Sequence, residues 1–174
     1  MADDFIVSLT DLRRTPGARR PLSLEASCAE ALGAGLVSLP PGRLVAVTGS
    51  VESVGDGVLV DARVETVMDA QCSRCLVEFS WPVDIEFQEL YVYPEQADDY
   101  AEEDVSFIHS DAIDLEPVIR SAVIVEQPLI PLCRPDCRGL CPQCGVDLNA
   151  DPDHHHDDDI DSRWLGLAAW GKMS

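Results

Sequence analysis

The chain has 174 residues, enough for one compact domain or one domain with a small appendage. Lys and Arg number 12 against 32 Asp and Glu, a formal net charge of −20. So acidic a body repels phosphate, which argues against wrapping duplex nucleic acid by itself. Hydrophobic residues at 46% and charged residues at 25% argue against global disorder.

The longest apolar runs fall well short of the roughly 20 residues a membrane span needs. Met1-Ala2-Asp3-Asp4 lacks the basic start of a secretory signal, so a cytoplasmic location is expected. Charge is unevenly spread. Residues 1–44 carry five acids and five arginines, whereas residues 95–161 carry 18 acids and three arginines.

In chain order, residues 5–9 read as a first strand. Residues 11–21 carry Arg13, Arg14, Arg19 and Arg20 around Thr15-Pro16-Gly17 and read as a basic loop or arm. Residues 22–32 fit neither the helical nor the strand period. Residues 44–54 are β-rich, and Gly55-Asp56-Gly57 supplies a hairpin turn. Residues 58–60 and 64–68 form the return strand. Cys72-Ser73-Arg74-Cys75 is then a tight turn. From Val77 to Phe87, apolar residues alternate strictly with polar ones, a half-buried strand with one wet face. Pro82 places that strand at an edge, or bulges it. The block from 43 to 92 therefore reads as an antiparallel meander, joined by the first strand.

Residues 95–104 hold six acids and no base, a solvated loop. Asp114 caps a helix over 114–127 whose apolar residues Leu115, Val118, Ile119, Ala122 and Val123 recur at helical spacing, with Pro117 in the first turn. Pro128 and Pro131 end it. Residues 133–160 are too polar to make a core and need another device to hold them. A last short helix is expected over 163–170. The fold class is α+β: an antiparallel meander packed by one main helix, with a zinc-binding Cys-rich C-terminal segment. The division is a core domain over 1–131, including the basic N-terminal arm, and a zinc-stapled segment over 132–174.

Seven cysteines in a chain without an export signal argue for metal rather than disulfides. The strongest signal is Cys133-x3-Cys137-x3-Cys141-Pro142-Gln143-Cys144-Gly145. Two thiolates at Cys-x2-Cys spacing share one side of a tight knuckle, as a tetrahedral zinc requires. Gly145 lets the chain curl there. Cys72 and Cys75 read as a second knuckle for the same or another site, as a redox pair, or as a hairpin turn with two half-buried thiols. Of His154-His155-His156, only His154 and His156 can face one metal on an extended chain; a solvated tail is the other reading. Cys28 reads as a buried small hydrophobe. His109 stands alone. Four thiolates fill a zinc ion, which favours a structural role over a catalytic one, and no nucleophile elbow or phosphate loop is present. The N-terminal arginines, with Arg74, are either solvated charge or a local RNA contact.

The order of motifs resembles the YceD family, the large ribosomal RNA subunit accumulation proteins. The resemblance rests on Cys72-Ser73-Arg74-Cys75-Leu76, on Asp114-Leu115-Glu116-Pro117-Val118-Ile119-Arg120 with Pro128-Leu129-Ile130-Pro131-Leu132-Cys133, on Cys137-Arg138-Gly139-Leu140-Cys141-Pro142-Gln143-Cys144-Gly145 with Leu148-Asn149, and on Asp161-Ser162-Arg163-Trp164. The tail departs from the family pattern, which has further cysteines near His154–His156, so the resemblance implies one of these histidines as a substitute ligand. The resemblance implies a cytoplasmic, non-enzymatic role in accumulating or processing large-subunit (23S) ribosomal RNA. Its expected partner is that RNA or a pre-ribosomal particle, with no membrane or small-molecule substrate. The charge adds that an acidic body can hold a basic ribosomal protein or assembly factor while Arg13, Arg14, Arg19, Arg20 and Arg74 touch RNA. A zinc-dependent hydrolase and a thiol redox protein are the two other classes open to these cysteines.

Overall fold

A computed structural model describes residues 5–12, 14–99 and 105–156. Its frame follows from alternation in strand β6, Gly57–Gln71. Val58, Val60, Ala62, Val64, Met68 and Ala70 are buried on one face, and Asp61, Arg63, Glu65, Val67 and Asp69 are exposed on the other. Period 2 sends alternate side chains to opposite faces, so β6 forms one wall of the core. Strand β5, Leu44–Ser53, pairs antiparallel with β6 through residues such as Val51 and Val60. Strand β7, Glu78–Val92, pairs antiparallel with all of β6, from Gly57↔Val92 to Gln71↔Glu78. The expected meander is therefore present. The two halves of the return strand are one continuous element, and β7 runs five residues beyond Phe87.

Pro82 faces Val67 in unbroken register, so there is no bulge. It lies on an edge strand: away from β6, and among the described residues, β7 pairs only at Tyr91 and Val92, with the two-residue β8, Ser106–Phe107. Strand β2, Arg19–Ser27, pairs outside β5. Strands β3, Leu32–Ala34, and β4, Val37–Leu39, form a small hairpin that joins β6 at residues 69 and 70.

Two expectations are corrected. The first strand, β1, Ile6–Ser8, does not join the meander. It pairs with β9, Ala112–Asp114, in a separate two-stranded sheet. Val7 and Ile113 are opposite each other and both buried, so burial beside the helix start, rather than an edge of the main sheet, takes this short strand. The stretch read as a basic loop or arm is loop as far as Ala18 among the described residues, but its last two arginines belong to a strand. Arg19 and Arg20 open β2, opposite Glu52 and Val51. Arg19 Nε donates to Ser50 Oγ at 2.9 Å, and Arg20 donates to the Ser8 carbonyl. Arg14 pairs with Asp111 at 2.7 Å and stacks on Tyr93, its guanidinium carbon 4.5 Å from the ring centre. Arg13 lies outside the described residues.

Helix α1, Glu116–Glu126, packs against β7 and β3. Asp114 Oδ1 accepts the Glu116 amide at 2.9 Å, Pro117 occupies the first turn, and Gln127 turns extended ahead of Pro128. Leu115, Ile119 and Val123 are buried. Ile119→Ala is expected to cost about 2–5 kcal/mol, read from the shift in urea midpoint at unchanged slope. No helix among the described residues is long and apolar enough to cross a membrane. The helix expected over 163–170, and the motif at 161–164, lie outside the described residues.

Candidate metal centres

The β6–β7 ladder ends at Gln71↔Glu78, and the six residues between form a knuckle. The Cys72 amide donates to the Val77 carbonyl, and the Leu76 amide donates back to the Cys72 carbonyl, both at 2.9 Å. Leu76 closes the turn in the left-handed region, at φ 61°. The same turn recurs at Cys141. The Cys141 amide donates to the Val146 carbonyl and the Gly145 amide to the Cys141 carbonyl, both at 2.8 Å, with Gly145 at φ 75°. Gly145 holds this conformation without the steric cost that Leu76 bears.

Among the described residues, two groups could each hold a metal ion, with all donor atoms of a group within 4.8 Å of one another. The first is Cys72, Cys75, Cys133 and Cys137; the second is Cys141, Cys144, His154 and His156. The linear run 133–144 is thus divided, two cysteines to each group. In the first, Cys72 and Cys137 sulfurs are 3.8 Å apart and Cys75 and Cys133 sulfurs 3.6 Å. Four thiolates at about 2.3 Å from a tetrahedral zinc lie about 3.8 Å apart, so this set already has the right size. In the second, His156 Nε2 is 3.2 Å from Cys141 Sγ and 3.3 Å from Cys144 Sγ; His154 Nε2 is 3.2 Å from Cys144 Sγ. The two imidazole nitrogens are 2.9 Å apart. A tetrahedral ion would set these edges at about 3.5 and 3.3 Å, so the donors fit after spreading by a few tenths of an ångström.

Two further observations bear on the fit. Cys137, Gly139 and Cys141 are the buried residues of 132–156, so this segment brings no apolar core of its own. Each knuckle also holds a thiol ready to ionise. Burial pushes Cys72 up, but the amides of Cys133, Cys75 and Arg74 outweigh it and hold the thiol at about 6. The amides of Cys144 and Gln143 hold Cys141 at about 7 against burial. Cys133 is pushed up to about 12 by burial and by the neighbouring thiols. A cation would reverse that last shift, since a coordinated thiol is deprotonated.

Arg74 Nη1 donates to the Cys137 carbonyl at 2.7 Å, and the Arg74 carbonyl accepts the Leu140 amide at 3.0 Å. It therefore ties the first knuckle to the segment between the two sets. His155 turns away, bonding the Asp153 carbonyl. His154 presents Nε2 to its set while Nδ1 faces Asp151 at 3.8 Å. Cys28 is buried and raised by burial; His109 is exposed. Asn149 escaped the sequence reading as a site residue. Its Nδ2 lies 3.6 Å from Cys137 Sγ, and its Oδ1 accepts from the Arg138 amide and Arg134 Nη2. An Asp147-x-Asn149 turn just after a knuckle was the available signal.

The family description "Large ribosomal RNA subunit accumulation protein YceD" matches residues 60–169. A Mycobacterium tuberculosis protein named as uncharacterized is 39% identical over 169 residues, 96% of this chain and 81% of the relative. A Mycobacterium leprae protein, likewise named, is 35% identical over 164 residues, 93% of this chain and 75% of the relative. YlbN of Bacillus subtilis, also named as uncharacterized, is 27% identical over 124 residues, 71% and 72% of the two chains. No solved structure matches the chain. The matched span contains both knuckles, helix α1 and all eight donors, and the chain belongs to the YceD family.

Proposed function

We propose that the protein is a non-enzymatic factor in accumulation of large-subunit ribosomal RNA, acting in the cytoplasm on the pre-ribosomal particle and shaped by two structural zinc ions. The observation that carries the role is membership of a family described by that accumulation. The donor chemistry supports the rest. Each set offers four soft or borderline ligands, which fill a tetrahedral ion and leave no position for a reactive water. A hydrolase needs that position, and a thiol redox pair needs its cysteines free of metal.

A basic protein of the large subunit is the favoured partner over naked RNA. The outward face of the sheet presents Glu25, Asp61, Glu65, Asp69, Glu78, Asp84 and Glu86. Arg63 pairs with Asp84 and Arg43 with Asp69 on this face, but its acids still outnumber its bases, with Glu25, Asp61, Glu65 and Glu78 in excess. Arg14, Arg19 and Arg20 each have a partner in the fold, Arg14 in an exposed ion pair with Asp111, so they are few and partly neutralised beside the acids of the sheet.

The test has two arms. Cells lacking the protein should show less large-subunit than small-subunit ribosomal RNA; an unchanged ratio refutes the role. Purified protein should bind isolated basic large-subunit proteins with an affinity that falls as salt rises. Replacing Asp61 and Glu65 together by Lys should weaken that binding about tenfold. Binding indifferent to both salt and these changes refutes the acidic docking face.

A further inference from the structure

The two donor sets are joined by three residues. Cys137 belongs to the first and Cys141 to the second, with Arg138, Gly139 and Leu140 between them. They differ in the chain they close. The first set draws Cys72 and Cys75 from the sheet and Cys133 and Cys137 from beyond the helix, 58 to 65 residues away. The second lies wholly within residues 141–156. Closing the second is entropically the easier step, and it needs nothing from the sheet.

Closing it also shapes the turn that follows the second knuckle. Leu140 and Asp147 form an antiparallel bridge, and the Leu148 amide donates to the Gly139 carbonyl at 2.9 Å. Asp147 Oδ1 accepts both from the Asn149 amide at 2.9 Å and from Asn149 Nδ2 at 2.7 Å. That fixes the side chain of Asn149, which reaches out of its own loop. Nδ2 approaches Cys137 Sγ at 3.6 Å, while Oδ1 takes the Arg138 amide at 2.8 Å and Arg134 Nη2 at 2.7 Å. Asn149 is not a donor of either set. It stands on the loop of one and points at a sulfur of the other.

We propose that Asn149 couples the two metal sites: an ion held by Cys141, Cys144, His154 and His156 orders the 147–149 turn, which delivers the Asn149 amide to the Cys137 thiolate and tightens the four-cysteine site. The inference rests on the zinc reading above. A zinc held by four thiolates carries a formal charge of −2, and an N–H donor to one sulfur stabilises that charge without displacing a ligand. Linkage makes the effect mutual, so the four-cysteine ion tightens the mixed site by the same factor.

The test is a metal titration of the full chain with cobalt(II), followed by competition with zinc. Four-sulfur and two-sulfur, two-nitrogen cobalt centres absorb differently, so each site is read separately. Replacing His154 and His156 together by Ala empties the mixed site and should lower zinc affinity at the four-cysteine site about tenfold or more. Asn149→Ala should do the same with the mixed site still filled. Asn149→Asp keeps the oxygen that receives Arg138 and Arg134 but sets a carboxylate oxygen against Asp147 and the Cys137 thiolate in place of the N–H, so it should lose at least as much as the Ala variant. Combining Asn149→Ala with the two histidine changes should cost no more than either alone. Unchanged affinity in both Asn149 variants, or additive losses, overturns the coupling. Fewer than two metals per wild-type chain overturns the zinc reading itself, and the coupling with it. Two metals bound independently overturn the coupling alone. Zinc release to a chelator gives a second reading should the histidine variant fold poorly: the four-cysteine phase should be faster in Asn149→Asp, and an equal rate counts against the proposal.

Discussion

Chelating the metal from the purified chain is expected to unfold residues 132–156 and leave the β5–β6–β7 sheet standing. The segment meets the core through few contacts. Arg74 reaches the Cys137 carbonyl and Leu140 donates to the Arg74 carbonyl, while Ser73 holds Pro131, just before the segment, from its amide and its hydroxyl. Such bonds contribute about 1 kcal/mol each, small beside the entropy of ordering the segment. A structural zinc supplies on the order of 10 kcal/mol, which places the stability of the segment in the metal. Hydrogen exchange reads this directly. The Leu140, Cys141, Gly145 and Leu148 amides, all bonded, should lose protection on chelation, while amides in the middle of β6 keep theirs. Cys137→Ser should release the segment from the knuckle at residues 72–75 in the same way. Protection that survives chelation at all four amides would show that something other than metal holds the chain there.

That dependence explains why the sites are harder to read from the chain than the sheet. Strands β6 and β7 announce themselves because buried and exposed residues alternate along most of their length. Alternation fails at the ends, 57–59 and 89–92, and the sequence reading of β7 stops short of the second. Helix α1 does so through Leu115, Ile119 and Val123, with prolines on both sides. Strand β1 has only three residues, too few to encode a partner, and its place beside β9 is decided by burial of Val7 and Ile113. Spacing marks Cys72/Cys75 and Cys141/Cys144 as knuckles because a two-residue gap is a local property. Which sulfurs meet is not local. Cys75 finds Cys133 across 58 residues only because the β6–β7 ladder carries one knuckle to where helix α1 delivers the other strand of ligands. The partners of the arginines are non-local in the same way: Asp111, Ser50 and the Ser8 carbonyl reach Arg14, Arg19 and Arg20 from other parts of the chain.

Gly57→Ala is expected to cost about 3 kcal/mol or more, and to lower the midpoint of thermal unfolding by about 6–12 °C, because backbone rather than side chain stands in the way. A Cβ at Gly57 would lie 1.9 Å from the Tyr91 carbonyl oxygen and 3.0 Å from Val92 Cα. Neither atom can swing aside as a flexible side chain would, so β6 and β7 must part at this end. The loss spreads from there. Tyr91 is 2% exposed, and its hydroxyl donates to the Asp114 carbonyl at 2.7 Å, tying the sheet to the start of helix α1. Val92 is also buried, and its carbonyl receives the Ile108 amide. Gly55, two residues earlier in the same turn, has nothing within 4 Å of the corresponding position. Gly55→Ala should therefore be neutral, or stabilising by about 0.4–1 kcal/mol through a less flexible unfolded chain. The knuckle at residues 72–75 sits at the far end of the ladder, so the cobalt spectrum of the four-cysteine site should be the same in both variants. Equal losses at the two glycines would place the cost in the turn itself rather than in the approach of Tyr91.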